Sequence, residues 1–493
     1  MFCYFSFFFL FLHKLTIFVQ TYHLLNMKKA IFVFTMAVMA CSAMAQREEG
    51  GISADMLSRI EKMQTTGATD KALFNAIAAN SIDNLAKNFD NHGPEDTNFK
   101  YETPSQSIHD QQSSGRCWLF SGLNVLRANF AKHHNDTLKV EFSQAYLFFY
   151  DQLEKANLML QGAIDMADKP MDDKFVRMLF KSPISDGGTF CGVADLAEKY
   201  GLVPMSVQPE TYSADNTSRM SRLIDSKLRE YGLELRQMVA DKKKTKAIKD
   251  RKTEMLATIY HILAISLGEP VKQFSYAFVN KKGVAVTEKK TYTPMEFYKE
   301  TVGGPLNGTF FMAMNDPRRE YYKTYEVEWD RHTYDGHNWK YINLPMDDIE
   351  KLAIASIKDG TKLYSSYDVG KQFDRKKGFL DVDIYDYATL FNTSFPMDKA
   401  QRIMTFDSGS THAMTLTAVD VDDTGKALKW KVENSWGASS GKAGYLIMTD
   451  SWFREYMFRL VVDKKYVPDN ILEAEKLKPV MVMPDDPLFM EDE

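Results

Sequence analysis

The stretch Asp110-Gln111-Gln112-Ser113-Ser114-Gly115-Arg116-Cys117-Trp118-Leu119-Phe120 decides how the chain is read. A small, flexible run, Ser113 to Gly115, leads through Arg116 to a cysteine. Apolar residues then recur at helical spacing (Trp118, Leu119, Leu123, Leu126, Phe130), which puts Cys117 at the first turn of a buried helix. Unpaired backbone N–H groups and the helix dipole there favour a thiolate over a thiol. Gln111, six residues upstream, can fold back across the flexible run and bring its amide N–H near the sulfur. A thiolate with a side-chain donor beside it supplies two of the parts that acyl transfer needs. A lone cysteine before an apolar helix is ordinarily a small core residue; the string as a whole argues for more.

A thiolate nucleophile also needs a base and something to orient that base. Eight histidines lie beyond residue 45, and pattern separates one of them. His412 stands in Gly409-Ser410-Thr411-His412-Ala413-Met414, at the head of the alternating strand Met414, Leu416, Ala418. A strand over Leu428 to Val432 then runs into Glu433-Asn434-Ser435-Trp436-Gly437. The Asn434 side-chain oxygen can accept the far ring N–H of His412 and fix the tautomer facing sulfur. Trp436 can cover that hydrogen bond.

The ordered set Gln111, Cys117, His412, Asn434, each in its own local string, resembles the papain superfamily. The form Gln-x-Ser-Ser-Gly-Arg-Cys-Trp resembles its bleomycin hydrolase and aminopeptidase C branch. It lacks the second cysteine that secreted papain-type enzymes place shortly before the nucleophile. Cysteine and histidine stand 295 residues apart, against roughly 130 in short papain-type chains. The excess lies in the helical, charged middle, where this branch carries a large insertion.

The resemblance implies an α+β, papain-like two-domain fold: a helical left domain, a β-barrel-like right domain and a large helical insertion. It implies a cysteine peptidase working through an acyl-enzyme, with catalytic Cys117, His412 and Asn434 and with Gln111 at the oxyanion. No metal or organic cofactor is expected. Gly187 and Gly188 resemble the glycine pair that hydrogen-bonds the substrate main chain; an ordinary turn before a helix is the other reading. In this branch the C-terminal arm lies in the groove and its terminal carboxylate anchors the substrate's free amine, which gives aminopeptidase activity. Asp486-Pro487-Leu488 resembles that arm, whereas the acidic end Met490-Glu491-Asp492-Glu493 departs from a small apolar terminus. Peptide substrates and a homo-oligomer, a hexamer by resemblance, are the expected partners. The alternatives are an endopeptidase with a displaced arm, or a non-catalytic peptide- or nucleic-acid-binding protein on the same scaffold.

The chain has 493 residues, a net charge of −5 and a pI near 6.1, which give no global case for nucleic acid binding. Lys242 to Lys252 holds seven Lys/Arg without aromatic interleaving and reads as a solvated helix face. Met27-Lys28-Lys29, the apolar run to Ala40 and Ala43-Met44-Ala45 read as a signal peptide, with Met27 expected as the true start. Cleavage after Ala45 would remove three lysines and no acid, taking the charge to −8, and would leave Cys117 and Cys191 as the only cysteines. An exported protein, periplasmic or extracellular, is therefore expected, without a membrane span in the mature chain. Cys41, in a degenerate lipobox, is a possible lipid anchor. The expected division is a leader over 1–45, an N-terminal extension and helical domain over 46–205, a mainly helical insertion over 206–343, a β-rich domain over 344–467 and a C-terminal arm over 468–493. After Pro468 the sequence loses regular periodicity, and terminal disorder is the bland reading of that tail.

Overall fold

The structure, a computed structural model, describes residues 50–489 apart from 65, 66 and 95, together with residues 16, 23 and 27. The leader's cleavage site, Cys41 and the acidic end at 490–493 lie outside the described residues. Residues 1–85 and 86–493 form two units. In the first, the helix Ala54–Met63 starts at Ser53, whose Oγ accepts the Met56 N–H, and none of its residues is buried.

The second unit begins with helices α1 (Cys117–His133), α2 (Gln144–Asp165), α3 (Phe190–Tyr200), α4 (Ser218–Ala240) and α5 (Thr245–Leu267). α2 is capped by Ser143, which accepts the Tyr146 N–H. α3 stops at Gly201, φ +79°, where a Cβ would lie 2.3 Å from the Pro294 carbonyl carbon. Only glycine fits that left-handed, crowded turn. α4 and α5 pack on α2 and on each other. They bury Ile224, Leu228 and Leu235 from one, and Met255, Ile259, Leu263 and Leu267 from the other, at the spacing of a single helix face. The basic run enters α5, where Lys246 meets Asp250 and Arg251 meets Glu234 and Glu254.

The strands are β1 (Phe310–Met314), β2 (Thr324–Val327) and β3 (Lys340–Asn343), then, after helix α6 (Met346–Lys358), β4 (Leu363–Tyr367), β5 (His412–Val421), β6 (Ala427–Glu433), β7 (Tyr445–Thr449), β8 (Met457–Asp463) and β9 (Val480–Val482). They share one sheet in the order β9-β2-β3-β1-β8-β4-β5-β6-β7, continued by the short strands Phe379–Leu380 and Phe373–Asp374. β5 is buried almost throughout and pairs antiparallel with β4 and β6, setting His412 opposite Tyr367 and Thr415 opposite Glu433. A strand with both faces covered reads as near-continuous apolar sequence. α1 packs against β4 and β5, where Thr415 donates to the Ser121 carbonyl at 3.4 Å. One apolar core joins the helices to the sheet. A second packs Ile349, Leu352 and Ile357 of α6 with Leu416, Trp430 and Trp452.

The segment expected as a mainly helical insertion holds its long helices before Leu267; β1, β2 and β3 then join the main sheet, β1 pairing with β8. The tail beyond Pro468 corrects its reading as irregular. Asp469–Glu475 is a helix, and β9 adds in parallel to β2 at the sheet edge. A seven-residue helix and a three-residue strand are too short to print a period in the sequence.

Candidate active site

Cys117 is the first residue of α1 and is partly exposed. The first turn holds no acidic residue, so the helix dipole acts on the sulfur unopposed. Two anchors fix the approach to the helix. The Trp118 indole N–H donates to the Asp186 carbonyl at 2.7 Å, and the Gly115 N–H donates to an Asp186 carboxylate oxygen at 3.2 Å. A Cβ on Gly115 would lie 2.9 Å from the Asp186 Cβ, so the flexible run must stay small. Cys191, the other free cysteine among the described residues, is buried in α3 with its sulfur 2.8 Å from the Thr189 hydroxyl.

Cys117 and His412 line one cleft of about 780 Å³, and the Ala413 N–H, next to His412, donates to the Cys117 sulfur at 3.5 Å. His412 Nε2 donates to Asn434 Oδ1 at 2.8 Å, which leaves Nδ1 as the nitrogen available to the cleft. The same Oδ1 accepts the Ser435 N–H at 2.8 Å. The Trp436 ring covers the pair, its centroid 4.7 Å from that of the imidazole. Burial pulls the His412 imidazolium down to about 4, with the Asn434 hydrogen bond opposing and the Arg375 charge adding to the fall. A neutral imidazole is the resting form unless a thiolate beside it restores the charge.

Gln111 lines the same cleft. Its Oε1 accepts the Ser435 hydroxyl at 2.6 Å, and its Nε2 donates to the Ser114 carbonyl at 2.6 Å. Because an amide nitrogen carries two hydrogens, this clamp leaves one N–H for the cleft. Gly187 and Gly188 form its wall. A Cβ on Gly188 would sit 2.2 Å from the His332 ring and 2.8 Å from Trp118, so packing as well as access demands glycine. The Gly187 carbonyl accepts from Lys155 at 2.6 Å.

Sequence reading gave no role to Ser435, although it sits inside the quoted Asn-Ser-Trp string. It also missed the support behind the glycine pair. There, buried His332 has Nδ1 2.5 Å from Asp151 and accepts the Thr189 N–H at 3.3 Å. Those partners lie more than 140 residues from His332, and no local pattern encodes the contact. Pro487, Leu488 and Phe489 also form part of the cleft wall. Asp486 holds them there through Arg318 at 2.7 Å and Arg319 at 2.8 Å.

Residues 51–489 match the model of the peptidase C1-like family. This chain belongs to that family. The peptidase is 37% identical over 420 residues to aminopeptidase C of Lactobacillus delbrueckii subsp. lactis, which covers 84% of this chain and 92% of the relative. It is 38% identical over 406 residues to human bleomycin hydrolase, covering 79% and 88%. The crystal structure of pepw from Lactobacillus rhamnosis HN001 matches with a TM-score of 0.84 at 36% identity, covering 89% of this chain and 99% of that one. The peptidase thus has the papain-like fold, mixed helix and sheet, and is a papain-like thiol hydrolase. Among the described residues no helix is long and apolar enough to cross a membrane.

Proposed function

We propose that this peptidase removes N-terminal residues from peptides through an acyl-enzyme. The Cys117 thiolate attacks the scissile carbonyl carbon. The developing oxyanion takes hydrogen bonds from the Cys117 backbone N–H and the spare Gln111 amide N–H. The His412 imidazolium gives its proton to the leaving amine, then as neutral base takes a proton from water that attacks the thioester, and the thiolate leaves. Asn434 holds the imidazole in the tautomer that serves both steps. Gly187 and Gly188 receive the substrate main chain.

The observation that carries the exopeptidase reading is the arm. Pro487 to Phe489 wall the same cleft as Cys117 and His412, so the arm takes up part of the groove that a longer peptide would need. Peptides with a free N-terminus should be turned over and their N-acetylated counterparts spared, with Cys117→Ala inactive on both. Equal turnover of both would favour an endopeptidase. Relatives named aminopeptidase C support the same choice. The proposal extends to an exported protein starting at Gln46, which N-terminal sequencing of the secreted material checks. It also extends to a hexamer, which sedimentation of the purified protein checks.

A further inference from the structure

We propose that Asp330 forms an ammonium-binding subsite of the catalytic cleft; the inference rests on the peptidase reading of that cleft. Asp186 and Asp330 are the acids in the cleft lining. Asp186 is spent on the Gly115 N–H and the Thr217 and Ser221 hydroxyls. The Asp330 carboxylate has no hydrogen bond or ion pair among the described residues. Its backbone is nevertheless held. Trp329 before it has φ +65°, and its own carbonyl accepts the Trp339 N–H at 2.8 Å.

Lys155 and Arg459 bring positive charge to this carboxylate, with the His332 ring beside them, and none of the three bonds to it. His332 is occupied by Asp151 and the Thr189 N–H. Lys155 is occupied by Asp151 and the Ser185 and Gly187 carbonyls. Arg459, also in the cleft lining, stacks over Trp339 at 5.2 Å and Phe489 at 5.7 Å. Burial keeps the Asp330 carboxyl above the usual range, with the Arg459 and Lys155 charges opposing. A partly buried carboxylate that lacks a partner costs free energy that an entering cation recovers. A lone carboxylate with no second or third ligand nearby suits an ammonium rather than a metal ion; among the described residues no group of three His, Cys, Asp or Glu could hold one. Phe489 on Arg459 also places this charge beside the last described residue of the arm.

Two parts of a peptide carry that chemistry, the α-ammonium and a lysine side chain. The test uses the full chain and Asp330→Asn on coumarin amides of alanine and lysine, each free and N-acetylated. Loss of the α-ammonium contact lowers kcat/KM roughly 10- to 100-fold, mainly through KM, on both free substrates only. Loss of a side-chain contact lowers it on both lysine substrates only. Either pattern supports the subsite. An equal loss on all four, or no loss on any, overturns it. Iodoacetamide labelling of Cys117 at the wild-type rate verifies that the variant's cleft is intact. Failure of the wild type to prefer free amines would instead count against the aminopeptidase reading, and the acetyl-lysine arm still tests the subsite in that case.

Discussion

Arg127, in the helix that Cys117 begins, donates to Glu433, the residue before Asn434, at 2.6 Å. One buried ion pair therefore joins the helix that starts at Cys117 to the strand end that precedes Asn434. Arg127 also donates to Glu141 at 2.5 Å and to the Ser107 carbonyl at 2.6 Å, and Lys362 meets the other Glu433 oxygen at 2.7 Å. Removing one partner of a buried pair strands the rest. Arg127→Met should lower stability by about 3–5 kcal/mol, read as a fall in the urea midpoint. An unchanged midpoint would mean that the pair is not what joins the two halves.

The Ser435 hydroxyl fixes which face of the Gln111 amide meets the cleft. Gln111→Ala should cost about 10²–10³ in kcat, the usual effect of deleting one oxyanion donor. Ser435→Ala should produce a smaller loss of the same kind, because the donor remains but is no longer oriented. KM should move little in either variant. A rise in KM with kcat intact would assign Gln111 to ground-state binding.

The depressed His412 value has a stability consequence once the Cys117 sulfur is removed. In Cys117→Ala the imidazole is buried near 4 and titrates near 6.5 when unfolded. A depressed folded value means that the unfolded chain binds the proton first. Stability present above about pH 6.5 is then lost as pH falls toward 4, by about 3 kcal/mol in all, and is flat below that. Chemical denaturation of Cys117→Ala and Cys117→Ala/His412→Gln across this range checks it: the difference between them should vary with pH in that window alone.

Much of this site was legible because papain-like chemistry writes itself in short strings. Cys117 heads a helix and His412 heads a strand, so each inherits a local period, and Asn434 follows a strand end. The support for these residues was not legible. Arg127–Glu433 and His332–Asp151 join positions 306 and 181 residues apart, and a lone buried charge has no sequence signature until its partner is known. Strands β1 to β3 fell within the segment expected as a mainly helical insertion, because membership of a sheet is set by pairing with β8, near the other end of the chain. The tail hid a helix and strand for the same reason: its order comes from the edge of β2 and from Arg318 and Arg319, not from its own pattern.

Those two arginines give the sharpest test of the arm. Asp486 takes one charge-assisted hydrogen bond from each, Arg318 and Arg319 are themselves held in place by Asp316, and Leu488 beyond it is buried. Asp486→Ala removes both bonds, each worth roughly 1.5–3 kcal/mol, while β9 still ties the arm to the sheet upstream. The end of the arm should then leave the cleft without unfolding the chain, and protease nicking near residue 486 should speed up while the thermal midpoint falls only slightly. Hydrolysis of N-acetylated peptides should rise at least roughly tenfold as that of free peptides drops, since the loss of even one such bond is worth that factor in population. If the arm is nicked faster and the preference for free amines does not change, the obstruction in the groove is not what selects N-termini, and the selection must lie with charges in the cleft wall such as Asp330.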